Sequence, residues 1–295
     1  MTEQGDNPFL DVPALLERSV PRAQTRWVLY AGGGFVLMLA LSAYTGAQAA
    51  GGSGAAEAVS AIGMIGLVVA MGVMIWRTAR AVQREQQEMQ AAEELIQLRR
   101  WDQAAMMLQS MLSRPARSLQ ARVQSLIYLA AVLARYHRHS DVVAVYDHLL
   151  GMEIQNEPAV RALRLGRAMS LLQEERLFDV DRAISDLRRG GGAAESGGLA
   201  LVEIYRDVKT GHPQEAIDLF QEKLPILRRQ LGCRVGDAYA LAARAYDLMG
   251  REQEAACAYE TATVLSEEAE LHRRYPEVAA LAGKYAPVVR PTEAP

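Results

Sequence analysis

Two long stretches near the start of the chain contain no charged residue. The first, from Trp27, reads WVLYAGGGFVLMLALSAYTGAQAA, and the second, from Ala58, reads AVSAIGMIGLVVAMGVMIW and ends at Arg77. Each is close to the roughly 20 apolar residues that a helix needs to cross a bilayer core. Trp27, Tyr30 and Trp76 lie near the ends, where amphipathic rings prefer the interface. The reading is two spans, about 27–46 and 58–76, joined by the short flexible linker GGSGAAE into a hairpin. A buried helical hairpin in a soluble fold is the alternative.

Arginines set the orientation. Arg18, Arg22 and Arg26 precede the first run, Arg77, Arg80 and Arg84 follow the second, and the linker carries only Glu57. Basic residues stay on the cytoplasmic side, so both ends are expected there, in an inner membrane. Ala47-Gln48-Ala49 resembles a signal-peptidase site, but the preceding run is long for a signal segment, which favours an uncleaved anchor. Ala58, Gly66 and Ala70 share a face of the second run, and Gly32, Gly33 and Gly34 lie in the first. Small residues let helices approach closely in lipid, within one chain or in a homo-oligomer. In the cytoplasmic segment 1–26, Asp11 is placed to cap a short helix with Pro13 in its first turn. Leu15, Leu16 and Val20 would then rest on the membrane surface, unless this segment is a disordered tail.

The rest of the chain is rich in alanine and poor in aromatics, which favours helix. The net charge of the whole chain, −3, argues against a nucleic-acid partner. Arginine greatly outnumbers lysine, as in proteins of GC-rich bacteria. Cys233 and Cys257 stand in no ligand or disulfide pattern. Internal similarity is present: HPQEAIDLFQEKL echoes REQEAACAYETAT, each with Gln-Glu-Ala and an aromatic four residues after the Ala. RWDQAAMMLQSML and SDVVAVYDHLL follow the same pattern. Within GDAYALAARAYDLMGREQEAACAYETA, two amphipathic helices meet at a turn around Gly250, and Ala243 and Ala255 let them approach closely.

This pattern resembles the tetratricopeptide repeat (TPR) family, whose unit is a helix–turn–helix of 34 residues. In the last unit Tyr239, Ala243, Tyr246 and Gly250 match the first helix and turn, and Ala255, Tyr259 and Ala262 match the second helix. In another unit Leu126, Leu129, Ala130 and Leu133 precede Val142, Tyr146 and Leu149. In the first, Ala92 and Leu95 precede Trp101, Ala104, Leu108 and Leu112. The resemblance covers residues 85 to 270, about five units, and implies an all-α solenoid over 77–286 with a disordered tail at 287–295. Two units depart from the pattern. The third, with Leu165 and Gly166, is expected to carry an insertion near Phe178, so that its second helix starts around Ala183. In the fourth, with Gly211, Ala216 and Phe220, Pro225 is expected to end or kink the second helix. RRGGGAAESGG is a flexible break, as a hinge or a loop. AVQREQQEMQAAEELIQLRR follows the second apolar run without Pro or Gly, which predicts one helix more than about 60 Å long.

No catalytic constellation or nucleotide loop stands out, so neither an enzyme nor a cofactor is expected. His137 and His139 are the best metal candidates, without a supporting ligand cluster. Stacked repeats instead offer a concave face built from first helices. In this register that face includes Gln124, Ile127, Arg135, Arg167, Tyr205, Lys209, Arg244 and Asp247. Arginines there suit carboxylates, so the expected ligand is an acidic peptide or chain terminus. The competing reading has these arginines paired within the stack or in solvent. The Lys and Asn carboxylate clamp known in the family is absent. The functional expectation is a membrane-anchored adaptor that recruits proteins. The alternative is a structural subunit of a larger membrane complex, held through its hairpin.

Overall fold

The computed structural model describes residues 10–20, 54–116, 118–152, 154, 156–190 and 196–285, with the backbone alone at 54–68 and 70. Five turns punctuate it at regular intervals. Arg99, His137, Glu175, Gly211 and Gly250 all have positive φ, between 56° and 76°, at spacings of 38, 38, 36 and 39 residues. At each turn the next backbone N–H reaches back five residues: Arg100 to Leu95, Arg138 to Leu133, Arg176 to Leu171, His212 to Asp207 and Arg251 to Tyr246. This left-handed cap satisfies a helix-end carbonyl and starts the next helix at once. The turn joins a long first helix to a second helix whose Arg or His cap position makes no side-chain capping bond. At three of the five starts, Arg138–Asp141, Arg176–Asp179 and Arg251–Glu254 form an ion pair three residues apart.

Among the described residues every regular element is helical, so the fold is all-α. The chain divides into two compact units, residues 1–141 and 142–295. In the first, α1 (Val12–Arg18) precedes α2 (Gly54–Gln97), α3 (Trp101–Leu112) and α4 (Leu119–Arg135). α2 packs on both α3 and α4. α5 (His139–Leu150) contains the boundary. The second unit holds α6 (Glu157–Gln173), α7 (Leu177–Arg189), α8 (Gly197–Lys209), α9 (Pro213–Leu231), α10 (Val235–Leu248) and α11 (Glu252–Leu265). It ends with α12 (Glu268–Arg274) and α13 (Ala279–Tyr285). From α6 to α12 each helix packs on its neighbour in sequence, α13 packs on α11, and first helices α6, α8 and α10 pack on one another in turn. That nearest-neighbour pattern is what stacked helical hairpins produce.

The small residues sit where helices come closest. Ala243, Ala255 and Ala262 are fully buried, and Tyr259 fills the space beside them. A Cβ on Gly166 would lie 2.7 Å from the Tyr146 ring, and one on Gly236 would lie 2.6 Å from the Ser266 hydroxyl. No side chain fits at either place without displacing a neighbour.

Three expectations are corrected. No insertion occurs near Phe178: α7 begins at Leu177, directly after a turn that falls on schedule at Glu175. The pattern is masked because Glu stands where Gly is usual and Phe178 points outward, 74% exposed. Pro225 does not end α9, which continues to Leu231, because Leu227 beyond it is fully buried in the core. Nor do Leu15 and Leu16 lie on a membrane surface. α1, capped by Asp11, packs on α3, with Leu10, Val12, Leu15 and Leu16 buried. Buried Arg122 donates to the Ser19 hydroxyl and the Leu16 carbonyl, and Arg138 donates to the Leu10 carbonyl. Burial pushes the Arg122 guanidinium below its ordinary pKa. Of the three apolar residues expected at the membrane surface, only Val20 is exposed.

α2 runs 44 residues without a break, about 66 Å at 1.5 Å per residue. Among the described residues no helix is long and apolar enough to cross a membrane. The first apolar run, 27–46, and the tail 287–295 lie outside the described residues. So do Arg22, Arg26 and Ala47-Gln48-Ala49, as well as 51–53 of the linker and 191–195 of the Gly-rich break.

A non-glycine residue in the left-handed region is strained by about 1–2 kcal/mol. Glu175→Gly should therefore raise stability by about 1 kcal/mol, since its ion pair with Lys209 is 3.6 Å long and exposed on the Glu175 side. A urea midpoint that stays the same or falls would show that the turn is not strained.

Candidate protein-binding face

Five of the residues expected in the groove belong to first helices of the second unit, and the chain's own C-terminal segment contacts three of them, Tyr205, Lys209 and Asp247. Tyr205 on α8 is fully buried. Its ring meets Tyr275 edge-on at 5.1 Å, and its hydroxyl donates to Glu277 at 3.2 Å. Burial, with Glu277 adding to it, pushes this hydroxyl well above the ordinary tyrosine pKa. Lys209, one turn further along α8, is 2.8 Å from the same carboxylate and has only 11% of its side chain exposed. On α10, Arg244 pairs with Asp247 at 2.9 Å. Asp247 also accepts from Lys284 at 2.8 Å and from the Tyr285 hydroxyl at 2.9 Å. Burial opposes ionisation of Asp247, but these donors and the charges of Lys284 and Arg244 outweigh it and hold the carboxyl below its usual range.

The segment that makes these contacts is well anchored. Leu271, Tyr275, Val278 and Leu281 are almost fully buried. Arg274 reaches both oxygens of fully buried Asp237, at 2.7 and 2.9 Å, and its carbonyl accepts from Gln173. Glu270 pairs with Arg273 and Arg274. Burial would raise the Glu270 carboxyl, but the two guanidiniums hold it down to about 2. Tyr275 is fully buried, and burial together with the Asp237 carboxylate pushes its hydroxyl above the ordinary value.

Arg167 lies on α6 and pairs with Asp147 at the edge of a surface pocket. In the first unit, Gln124 on α4 hydrogen-bonds Tyr128, Ile127 is half-buried, and the Arg135 guanidinium stands 5.7 Å from the Trp101 ring centroid. Tyr136 donates to Asp102, and burial together with that carboxylate pushes its hydroxyl above the ordinary value. The seven principal candidates thus fall into three places: Gln124 and Arg135 in the first unit, Arg167 at the pocket, and Tyr205, Lys209 and Asp247 against the C-terminal segment, with Arg244 paired to Asp247 beside them. Most guanidiniums of the second unit are paired within the chain, including Arg188 with Glu203 and Arg206 with Asp181 and Asp207.

The sequence reading missed Arg274, Tyr275, Glu277, Lys284 and Tyr285, although a signal was present. Leu271, Tyr275, Val278 and Leu281 recur at helical spacing beyond the last repeat. His137 and His139 meet edge-on, 5.8 Å between centroids, and no group of three metal-ligating side chains occurs among the described residues. Both cysteines are free and exposed. The chain matches no protein family, no curated protein and no solved structure.

Removing one partner of a buried ion pair costs about 3–5 kcal/mol. Asp237→Ala should lose about 3 kcal/mol in urea unfolding, and a loss below about 1 kcal/mol would mean that Arg274 does not hold the segment. Acid should release the same region. Glu270 and Asp247 both have folded pKa values below their ordinary ones, so their stabilisation is complete above about pH 4.5 and fades toward pH 2. The thermal midpoint should fall across that window, and fall less in Glu270→Gln. Identical acid profiles for the two proteins would exclude this cause.

Proposed function

We propose that this chain is a membrane-anchored adaptor. In this reading a transmembrane hairpin, 27–46 and 58–76, carries TPR-like repeats that bind partner proteins at the cytoplasmic face of a bacterial inner membrane. One observation carries the topology. Residues 10–19, which precede the first apolar run, pack against α3 and α4, which follow the second. Segments in contact lie on one side of a membrane, so two runs that both span must form a hairpin. Cleavage after Ala49 would also remove α1 and leave buried Arg122 without Ser19 and Leu16.

The helix itself supports the same reading. α2 continues from the second apolar run into the first helical pair without interruption. Met71, Val73, Met74, Ile75 and Trp76 are all exposed, and five nearly consecutive positions go around the whole helix. Apolar side chains on every face suit a lipid surround. Arg77, Arg80 and Arg84 follow at once, with the Arg80 guanidinium 3.8 Å from the Trp76 ring centroid, as at an interface. The repeat character rests on five turns with one backbone geometry and on the stacking of first helices, and such arrays serve as binding surfaces.

Sodium carbonate extraction of native membranes tests the anchor. The full chain should stay in the membrane pellet, and a chain lacking 27–76 should become extractable. Release of the full chain by carbonate would overturn the membrane reading. Crosslinking in the same membranes separates two roles: an adaptor holds soluble partners through residues 77–286, whereas a structural subunit loses its complex when the hairpin is removed.

A further inference from the structure

With the first-helix face of α8 and α10 occupied by the C-terminal segment, an open basic site remains elsewhere in the second unit. A surface pocket of about 440 Å³ lies between α5, α6 and α7, lined chiefly by Asp147, Arg164, Arg167, Asp186 and Arg189. That volume falls within the ~300–1,000 Å³ range of ligand pockets. Two of its three guanidiniums are neutralised, Arg167 by Asp147 and Arg189 by Asp186. Arg164 is exposed and makes no ion pair among the described residues. The pocket therefore holds one positive charge in excess.

We infer that this pocket receives a carboxylate from an acidic segment of a protein partner, with Arg164 as its primary contact. The inference rests on the adaptor reading and names its docking site. Charge decides the ligand class. One carboxylate group seated in the pocket neutralises it, whereas a phosphate dianion in the same place would leave negative charge against Asp147 and Asp186. A planar guanidinium flanked by two others suits the fork of a carboxylate. A second feature marks the surface as a protein contact. Phe178 is 74% exposed and lies on the α7 face that carries Arg182 and Asp186. The Arg182 guanidinium stands 5.2 Å from its ring centroid. Eight residues of helix put Phe178 about 12 Å along the axis from Asp186, a reach of a few residues in an extended peptide. An exposed aromatic beside a basic pocket matches the residue types that dominate protein interfaces.

The test uses the full chain in detergent micelles and a fluorescein-labelled peptide of nine residues containing three glutamates and one leucine. Fluorescence anisotropy should show saturable binding that weakens at least about tenfold in Arg164→Glu and measurably in Phe178→Ala. Both side chains are exposed, and unchanged circular dichroism confirms that the variants fold. Equal binding by the wild type and Arg164→Glu, or no binding by the wild type, overturns the inference. Displacement of the peptide by phosphatidylglycerol vesicles would assign the site to a lipid headgroup and overturn it too. Crosslinking in native membranes separates the two levels. Partners retained equally by Arg164→Glu reject the pocket but keep the adaptor, and no soluble partner in either protein rejects the adaptor itself.

Discussion

Every helix pair depends on the same backbone turn. A residue in the left-handed conformation lets the following N–H satisfy a carbonyl five residues back, and the chain reverses without an exposed loop. This constraint sets the repeat, because it fixes where each second helix starts and which of its residues faces the first. Ala104, Val142, Val180, Ala216 and Ala255, four residues after each cap position, are all buried. The turn tolerates Arg99 and Glu175 at the strained position because the two packed helices over-determine it. Tertiary burial therefore supports a backbone conformation that these side chains disfavour on their own.

The C-terminal segment closes the second unit by the same physics that was expected to bind a partner. A carboxylate from Glu277 sits between a tyrosine hydroxyl and a lysine, and a guanidinium from Arg274 grips a buried aspartate. The first-helix face does select charged and aromatic groups, but it takes them from its own chain. Apolar burial of Leu271, Tyr275, Val278 and Leu281 makes this closure part of the core. The closure leaves other surfaces open for the proposed ligand recognition, and the pocket at Arg164 is one of them.

The N-terminal helix carries a comparable lesson. Its apolar side chains are as compatible with a lipid surface as with a protein core, and its composition does not distinguish the two. Arg122 and Arg138 decide the matter by donating to carbonyls and a hydroxyl of residues 10–19, more than 100 positions earlier in the chain. That contact joins the two flanks of the apolar runs and is what supports the proposed hairpin.

The helical class was legible in the residues by themselves, as were the approximate number of pairs, the close approaches at Ala243 and Ala255, and the unbroken helix after the second apolar run. These follow from local rules: the period of apolar side chains, the volume available at an approach, and the absence of Pro or Gly. Tertiary structure alone decided the rest. Glu175 marks a turn only because burial on both sides holds it there, and Pro225 remains helical only because Leu227 has a core to enter. Tyr205, Lys209 and Asp247 looked open because periodicity tells which face a residue occupies. It cannot tell what packs on that face when the partner lies some 40 to 70 residues away, as Tyr285 and Glu277 do.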